Sequence, residues 1–336
     1  MNGLPVGKID SKLLMRLIAA YTGRDDRVVV GSGIGEDAAV IDMGNHYLIA
    51  KTDPITNAAE EIGHYAVNIN ANDIAAMGGI PRWFLATVLL PEGSCAGDLD
   101  RIFSQIAKSC NELGIVYCGG HTEITTSVTS PVVIGQMLGE AAKENLKPTA
   151  GCLPGDDLIM TKQAAIEGTA IIAIEKEEEL RSSGVPEEVL RRARGYLRNP
   201  GISVLADAAI VSSCREVHAL HDPTEGGIAT GIYEMAAASG TGIEVDVEKV
   251  TVSEETRILC QYCGVDPLGI FASGSLLIAA APTASAGIVL QLQQAGIAAA
   301  IVGRFTDQTE GLRLRTKLGV VPLPVFQQDE LSKIFG

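Results

Sequence analysis

Residues 66–81, AVNINANDIAAMGGIP, carry the pattern that decides the fold of this chain. Apolar residues recur there at helical spacing, which predicts a helix over about 60–77. The helix should stop at Gly78 and Gly79, because glycine ends helices easily and Pro81 beyond them cannot continue one. The stretch therefore predicts one long and largely apolar helix that is followed by a turn.

Three polar side chains interrupt this apolar helix, namely Asn68, Asn72 and Asp73. Asn68 and Asn72 are four residues apart and share a face, and Asp73 lies beside them. Asparagine and aspartate are indifferent helix formers, so their presence here needs a reason. Oxygen ligands for Mg²⁺ are one explanation, because a bound cation would satisfy buried polar groups. A buried network of hydrogen bonds is the alternative.

Two further acidic motifs stand beside predicted strands. Residues 33–40, GIGEDAAV, place Gly35 and Asp37 directly before an apolar strand. Glycine lets the backbone approach a ligand there, and the carboxylate can hold a hard cation. Lys51 and Asp53 end another apolar run, and they suit a phosphate and its magnesium, respectively. The alternatives are a simple acidic turn at the first motif and a strand-ending turn at the second.

A glycine motif follows the predicted strand 115–117. Residues 118–123, CGGHTE, offer backbone N–H groups to an anion and the carboxylate of Glu123 to a metal. His121 lies beside this predicted glycine loop. It is a candidate general base near neutral pH, or else a hydrogen-bond donor to phosphate.

A second glycine motif, HDPTEGG at 221–227, leads into a helix predicted to begin at Ile228. Asp222 or Thr224 can cap this helix, and a helix N-terminus attracts phosphate. Asp222 is also a candidate for substrate contact or proton transfer. Capping alone is the alternative interpretation of the motif.

The chain of 336 residues is long enough for two domains. Strand-like and helical runs occur on both sides of a stretch at 143–153 that has the proline and glycine content of a connection. We therefore expect a mixed α/β protein with an N-terminal domain at 1–145 and a C-terminal domain at 151–336.

Composition limits the function classes. Lys+Arg 26 against Asp+Glu 41 gives a net charge of −15, which disfavours general nucleic-acid binding. An apolar share of 46% predicts a folded core. Polar residues and a proline interrupt the most apolar late stretch, 276–302, so we expect no membrane span. Seven scattered cysteines and the lack of a secretory leader pattern predict a soluble protein of the cytoplasm.

A charged stretch and a cysteine pair are both explained best by structural roles. The charged stretch 176–198 contains five arginines and predicts a solvated helical face, with the gathering of phosphate groups as the alternative. Cys260 and Cys263 form a CxxC pair without a second pair of ligands. We expect these two cysteines to pack in the protein rather than to bind zinc or to act in redox chemistry.

Taken in order, the motifs resemble those of the AIR synthase superfamily, which includes HypE, a hydrogenase-maturation protein, and thiamine-monophosphate kinase. The HypE-like branch is the most similar, and the motif at 70–81 is the most specific piece. The matching motifs are GEDAAVI (35–41), KTDP (51–54), NANDIAAMGGIP (70–81), GGHTE (119–123), HDPTEGGIA (221–229) and FASGSLL (271–277).

The resemblance implies a PurM-like fold. In this fold the sheet of the N-terminal domain pairs with that of a second subunit in a dimer barrel, and Mg-ATP binds between the N-terminal and C-terminal domains. It implies that Asp37, Asp53 and Asp73 bind magnesium. The residues that it implies at the nucleotide are Gly35, Lys51, Asn72, Gly119, Gly120, Thr122, Thr224, Gly226 and Gly227.

The chain also departs from HypE. It ends with DELSKIFG at 329–336, where HypE has an acceptor cysteine, and it has His121 and Glu123 where HypE has an aspartate and a lysine. We therefore expect a homodimeric Mg-ATP-dependent enzyme that phosphorylates an amide-type oxygen of an unidentified substrate. His121, Glu123 and Asp222 are its candidate catalytic residues. The alternatives are a small-molecule kinase like thiamine-monophosphate kinase, and a non-catalytic nucleotide-binding maturation partner.

Overall fold

The computed structural model describes residues 9, 11–23, 25–33, 35–56, 60–326 and 328–335. These residues form helices and strands in mixed order, which confirms the α/β class. The strands are β1 (Val28–Val30), β2 (Ala39–Asp42), β3 (Tyr47–Ile55), β4 (Ile80–Pro91), β5 (Val116–Thr125), β6 (Val132–Ala141), β7 (Asp157–Thr161), β8 (Val217–His221), β9 (Gly242–Asp246), β10 (Leu277–Ala280), β11 (Ala299–Thr306), β12 (Leu312–Thr316) and β13 (Gly319–Pro322). The helices are α1 (Ser11–Tyr21), α2 (Ile62–Ala76), α3 (Ala96–Leu113), α4 (Ile166–Glu175), α5 (Glu177–Ser182), α6 (Glu187–Arg194), α7 (Leu205–Val211), α8 (Gly227–Ser239), α9 (Glu254–Cys263), α10 (Pro282–Gln294) and α11 (Ser332–Phe335).

The first six strands form one sheet in the order β1-β2-β3-β6-β4-β5. Strand β5 pairs with β4 in parallel, and the other neighbours are antiparallel. Helices α2 and α3 cover one face of this sheet, where their apolar side chains form a core with those of β3, β4 and β6. The side chains of Phe84 and Met137 are fully buried in this core.

The opposite face of the first sheet carries apolar side chains that are only partly covered. Along β4, buried residues such as Phe84 alternate with more exposed ones such as Trp83, as the twofold period of a strand requires. The register pairs Trp83 with Leu138 and Thr87 with Ile134, so these side chains share the outer face. An apolar face of this kind, left half-exposed in one chain, is suited to a partner surface.

The other seven strands form a second sheet in the order β13-β12-β9-β11-β7-β10-β8. Helices cover both of its faces, and every residue of β7 and β10 is buried. Consecutive residues of β7 therefore enter different cores, with Leu158 on one side of the sheet and Ile159 on the other.

Helix α2 lies between the two sheets. All fifteen of its residues are buried, so the helix has no solvent face. Ile62 and Ile74 pack in the core of the first sheet, whereas Ala75 and Ala76 pack in a core of the second sheet. The predicted stop signal is confirmed, because the helix ends at Ala76 and Gly78 follows it with a φ of +77°. A Cβ at Gly78 would lie 2.0 Å from the carbonyl oxygen of Asn145.

The connection between the sheets is ordered and packs against the first motif. It contains two short 3₁₀ turns, Lys143–Asn145 and Thr149–Gly151. The hydroxyl of Thr149 donates a hydrogen bond to Asp37 (3.2 Å), and the N–H of Ala150 donates one to Glu36 (3.1 Å). The connection therefore helps to position the acidic loop before β2.

The charged stretch 176–198 forms α5 and α6. Each of its five arginines makes an ion pair with a glutamate within the described chain. This pairing favours the solvated helical face over a phosphate-gathering surface.

All seven cysteines are free, and Cys260 is buried in a hydrophobic core. Among the described residues, no helix is both long enough and apolar enough to cross a membrane.

Asn72 joins α2 to the second half of the chain. Its amide nitrogen donates to the carbonyl of Ile202 (2.7 Å), and its amide oxygen accepts from the N–H of Val204 (2.9 Å). Asn72→Ala would leave both buried backbone groups without a partner, so we expect it to lower the free energy of unfolding by about 2–4 kcal/mol. Urea unfolding followed by circular dichroism measures this change.

Asn111→Ala is the control, because Asn111 is exposed on α3 and its side chain makes no described hydrogen bond. Equal stability of the two variants would show that Asn72 does not join the halves.

Candidate functional site

Three buried carboxylates meet between the two halves of the chain. Asp37 lies in the loop before β2, Asp73 on α2, and Asp222 directly after β8. One carboxylate oxygen of each lies within 4.8 Å of the others, and each residue is at most 7% exposed. The sequence predicts metal-binding roles for Asp37, Asp53 and Asp73. The structure brings Asp37 and Asp73 together but leaves Asp53 outside the group, and it adds Asp222, which the sequence suggests for substrate contact or proton transfer.

This group of acids is short of hydrogen bonds. Neither carboxylate oxygen of Asp222 has a partner among the described residues, and neither has Oδ2 of Asp73. Burial, together with the neighbouring Asp73 and Asp37, raises the pKa of Asp222 well above its usual value. Burial also raises the pKa of Asp73 well above its usual value, although Lys51 opposes this effect. The ionised form of acids this close together and out of water is disfavoured unless a cation lies between them.

Lys51 supplies part of the positive charge. Its Nζ lies 3.0 Å from Oδ1 of Asp73 and 3.3 Å from Oδ2 of Asp53. Burial lowers the pKa of Lys51, but the charges of Asp73 and Asp53 outweigh burial and raise it, so the side chain stays protonated. Asp53 is outside the group of three, and its side chain is 36% exposed. It borders the site through Lys51.

His221 holds Asp37 from the other side. Its Nδ1 lies 3.0 Å from Oδ1 of Asp37, and its Nε2 lies 3.1 Å from Oε2 of Glu234 on α8. Burial lowers the pKa of His221, but Asp37 and Glu234 outweigh burial and raise it well above its usual value. A charged imidazolium donates through both ring nitrogens, which fits a position between two carboxylates. Sequence reasoning missed this role, because Glu234 is in no motif.

The donor set fits a hard divalent cation. Three carboxylates from separate elements converge, and three of their oxygens have no partner within the part of the chain that the structure describes. Mg²⁺ and Ca²⁺ prefer oxygen ligands, and Mg²⁺ in particular binds through a few carboxylates and keeps room for waters and substrate phosphates. Asp37, Asp73 and Asp222 would hold such an ion, with Lys51 and His221 fixing the outer oxygens.

The asparagines of α2 serve other purposes. Both polar groups of Asn72 bond to the backbone at Ile202 and Val204, so Asn72 has no free oxygen ligand within this arrangement. The amide nitrogen of Asn68 donates to the carbonyl of His64 (2.9 Å). For these two residues the structure favours the hydrogen-bond network over ligation of a metal.

The prediction of a glycine loop at 118–123 is wrong, because these residues continue strand β5. A Cβ at Gly120 would lie 1.8 Å from the carbonyl oxygen of Ala86 on β4, so the glycine permits close strand pairing. Strand β5 is three positions from β3 in the sheet, roughly 14 Å at the usual strand spacing. His121 and Glu123 are exposed, and Nε2 of His121 lies 3.7 Å from Oε2 of Glu123. Their position on β5 keeps both side chains far from Lys51 on β3. Gly119 and Thr122 lie on the same strand.

The 221–227 motif leads into α8, which begins at Gly227, one residue before the predicted start at Ile228. The capping prediction is wrong, because neither Asp222 nor Thr224 caps the helix. Instead the N–H of Gly226 donates to Oδ2 of Asp329 (2.9 Å), near the end of the chain. The close packing of this loop explains its glycine at 227. A Cβ at Gly227 would lie 2.4 Å from the carbonyl oxygen of Leu268, so no larger residue fits there.

Gly35 brings the first motif against α8. It has a φ of +70°, and a Cβ there would lie 3.0 Å from Cβ of Glu234. Because Glu234 also holds His221, this contact links the loop that carries Asp37 to the second half of the chain. Ile34, which is part of the same motif, lies outside the described residues.

Models of the two AIR synthase-related domains match the chain. The model of the N-terminal domain matches residues 35–141, and that of the C-terminal domain matches residues 154–314. The chain belongs to the AIR synthase-related family. The N-terminal match includes Asp37, Asp53 and Asp73, and the C-terminal match includes Asp222.

Curated relatives cover most of the chain. A hydrogenase expression/formation protein of Methanocaldococcus jannaschii is 26% identical over 88% of this chain and 89% of its own length. The carbamoyl dehydratase HypE of Azotobacter vinelandii is 28% identical over 79% of this chain and 76% of its own. A thiamine-monophosphate kinase of Pyrococcus horikoshii is 25% identical over 89% and 91%, respectively.

Solved structures of the family share the fold. A chain of a HypE–HypF complex superposes with a TM-score of 0.78 at 20% identity, and the match covers 94% of this chain and all of that chain. HypE in complex with ATP gives a TM-score of 0.73 at 22% identity over 94% and 95%. Identities this low establish the two-domain α/β architecture and nothing finer.

The unpartnered oxygens of Asp222 make a prediction about stability. Asp222→Asn keeps the shape of the side chain, removes an acid whose ionised form burial and the neighbouring acids disfavour, and lets the new amide donate to a neighbouring carboxylate. We expect it to stabilise the metal-free protein by about 1–3 kcal/mol. Urea unfolding in the presence of a chelator measures the change.

Asp100→Asn, on the exposed side of α3, is the matched change of charge and should alter stability by less than about 0.5 kcal/mol. A destabilised Asp222→Asn protein would contradict the view that these acids repel one another.

Proposed function

We propose that this chain is a Mg-ATP-dependent enzyme that transfers a phosphoryl group to an amide-type oxygen of its substrate. The observation that carries the proposal is the buried group of Asp37, Asp73 and Asp222, whose free oxygens need a cation. Clustered carboxylates accept a nucleotide triphosphate only through bridging cations. The ATP complex of HypE and the ATP-dependent chemistry of the family support the nucleotide.

The residues of the site would act mainly by positioning. Bound magnesium would neutralise the phosphate oxygens while charge shifts to the leaving group. Lys51 is held by two aspartates and presents a fixed positive charge beside the cation site, where it suits a phosphate oxygen. His221 and Thr149 fix the carboxylate of Asp37. Rigid placement of this kind lowers the barrier of a phosphoryl transfer, which needs little covalent participation by the protein.

We also propose that two copies of the chain pair through the outer face of the first sheet. The half-exposed apolar side chains of β4 and β6 support this pairing, and the dimer barrel implied by the family resemblance agrees with it. His121 and Glu123 lie on this face, beside Thr87 and Leu89, and would contact the partner subunit rather than their own carboxylate site. A role for them in phosphate binding or proton transfer would then act across the dimer, together with Gly119, Gly120 and Thr122.

Two other functions fit specific observations. The thiamine-monophosphate kinase relative spans nearly the whole chain, which favours a small-molecule kinase as the second candidate. HypE forms a complex with HypF, so a non-catalytic maturation partner is the third. Analysis of the reaction products separates the first two functions. A kinase leaves a stable phosphorylated product. An enzyme that activates an amide-type oxygen as a leaving group releases ADP and free phosphate. Magnesium-dependent ATP binding without turnover would favour the partner role.

The seven free cysteines support a cytoplasmic location.

The carboxylate site is tested by calorimetric titration of the full chain with ATP, with and without magnesium. We expect binding only with magnesium. Asp37→Asn and Asp73→Asn should weaken that binding by about 100-fold or more, because each removes a charged ligand. Asp100→Asn, which removes the same charge from an exposed position, should bind like the unchanged protein. Magnesium-independent binding, or full binding by both site variants, would contradict the proposed site.

The dimer is tested by sedimentation velocity. Ile134→Lys places a charge in the outer face of the first sheet, where Ile134 is only half-buried, so the subunit should fold but not pair. We expect the unchanged protein to sediment as a dimer and the variant as a monomer. Val320→Lys, on the exposed strand β13, is the control and should remain dimeric. A dimeric Ile134→Lys protein would place the interface elsewhere.

A further inference from the structure

The last described residues of the chain lie against the loop between β8 and α8, which begins with Asp222. These residues, 328–335, form the tail segment and include the short helix α11. They fall almost entirely within the stretch 329–336, where the chain departs from HypE. Leu331 is 3% exposed and belongs to the same hydrophobic core as Leu268 and Ile270, so the tail segment is anchored in the second half of the chain.

Asp329 joins the tail segment to the loop that follows β8. Its Oδ2 accepts a hydrogen bond from the N–H of Gly226 (2.9 Å), and its Oδ1 accepts one from the N–H of Leu331 (2.9 Å). Burial raises the pKa of Asp329 to about 7, with smaller contributions from Glu225 and Glu330, whereas the two N–H groups oppose this effect. The bond to Gly226 is therefore strongest when Asp329 is ionised, because a charged acceptor binds an N–H more tightly than a neutral one.

The tail segment also holds the loop between α9 and β10. The N–H of Glu330 donates to the carbonyl of Gly269 (3.0 Å), and Oε2 of Glu330 accepts from the N–H of Asp266 (3.2 Å). A Cβ at Gly269 would lie 2.8 Å from Cγ of Glu330, so the close approach requires glycine there. This second loop is bound to the first, because the N–H of Ala272 donates to the carbonyl of Thr224 (3.2 Å). The tail segment thus fastens a pair of connected loops.

Asp222 depends on its backbone for its position. The other two acids of the carboxylate site each have a side-chain partner, but neither oxygen of Asp222 has one among the described residues. On its N-terminal side, the pairing of β8 with β10 fixes the backbone at His221. On its C-terminal side, the loop is tied at Gly226 to Asp329. These backbone anchors decide where the carboxylate of Asp222 lies.

We propose that Asp329 is a positioning residue for the cation site, where it holds the N–H of Gly226 and so fixes the loop that places Asp222 as a ligand of the magnesium ion. Groups that orient the ligands of a metal from outside commonly change its affinity by about 10- to 100-fold. Asp329 itself does not touch the cation or the nucleotide. The inference rests on the proposed function, because it requires that Asp222 binds the cation.

The test is calorimetric titration of the full chain with ATP at a series of magnesium concentrations. The titrations are made at pH 8, where Asp329 is ionised because its pKa is about 7. The measured quantity is the magnesium concentration that gives half-maximal ATP binding. Asp329→Ala should raise it about tenfold, because Asp222 is no longer held in place. The number of ATP sites per chain at saturating magnesium should stay the same, whereas a loss of folded protein would lower that number.

Two further variants keep the result interpretable. Asp329→Asn keeps the size of the side chain but has one acceptor oxygen instead of two, and it should raise the magnesium concentration about threefold. In a chain that already carries Asp222→Asn, Asp329→Ala should raise the magnesium concentration no further, because residues that act through one another are not additive. A general weakening of the fold would not depend on Asp222 in this way.

Asp246→Ala is the matched control. Oδ1 of Asp246 accepts the N–H of Glu248 (3.2 Å), which is the same kind of contact, but β9 is four positions from β8 in the second sheet. This variant should need the same magnesium concentration as the unchanged protein. The proposal is overturned if both Asp329 variants keep the normal magnesium dependence, if Asp246→Ala shifts it equally, or if Asp329→Ala has its full effect in the Asp222→Asn chain.

The Asp37→Asn protein distinguishes this inference from the proposed function. If Asp37→Asn binds ATP with magnesium as well as the unchanged protein does, the proposed cation site itself is wrong. If Asp37→Asn loses that binding while both Asp329 variants behave normally, the cation site stands and only the positioning role of Asp329 is overturned.

Discussion

The complete burial of α2 is the constraint on which the rest of the structure depends. A helix with no solvent face can satisfy its polar side chains only internally, because an unpartnered polar group costs free energy when it is buried. The three asparagines of α2 find such partners, whereas the hydroxyl of Tyr65 and Oδ2 of Asp73 have none among the described residues. Asn68 bonds to its own helix, Asn70 to the backbone of β3, and Asn72 to the second half of the chain. The helix thereby fixes the orientation of the two sheets, and it carries Asp73 into the space between them.

Charge balance at that point couples the fold to the site. Lys51 and His221 neutralise part of the carboxylate group, yet both oxygens of Asp222 and one of Asp73 have no partner among the residues that the structure describes. Burial and their neighbours disfavour the ionised form of Asp73 and Asp222, and a divalent cation would reverse that preference, so that ion binding and the fold would stabilise each other. The same excess of negative charge explains why the site would accept a nucleotide only together with its cation.

The glycines of the motifs have a packing role within the protein itself. Gly120 lets β5 pair closely with β4, Gly227 lets α8 begin against the carbonyl of Leu268, and Gly35 brings the first loop against Glu234. At each position a Cβ would meet the protein itself, so the space is needed for packing whether or not a ligand approaches. A glycine motif in the sequence does not show whether the glycine makes room for packing within the protein or for the approach of a ligand.

The sequence by itself determined the α/β class, the long helix at 62–76 with its stop at Gly78, and the acids at 37 and 73, because these depend on local periodicity, turn chemistry and residue type. Only the tertiary structure decided that Asp222 joins those acids, that Glu234 holds His221, and that Asp329 takes the N–H of Gly226. These contacts join residues that are far apart in sequence, and no local pattern encodes the distance between them. The strand at 116–125 also depends on tertiary structure. This glycine-rich segment is extended because its backbone forms hydrogen bonds with the neighbouring strand β4.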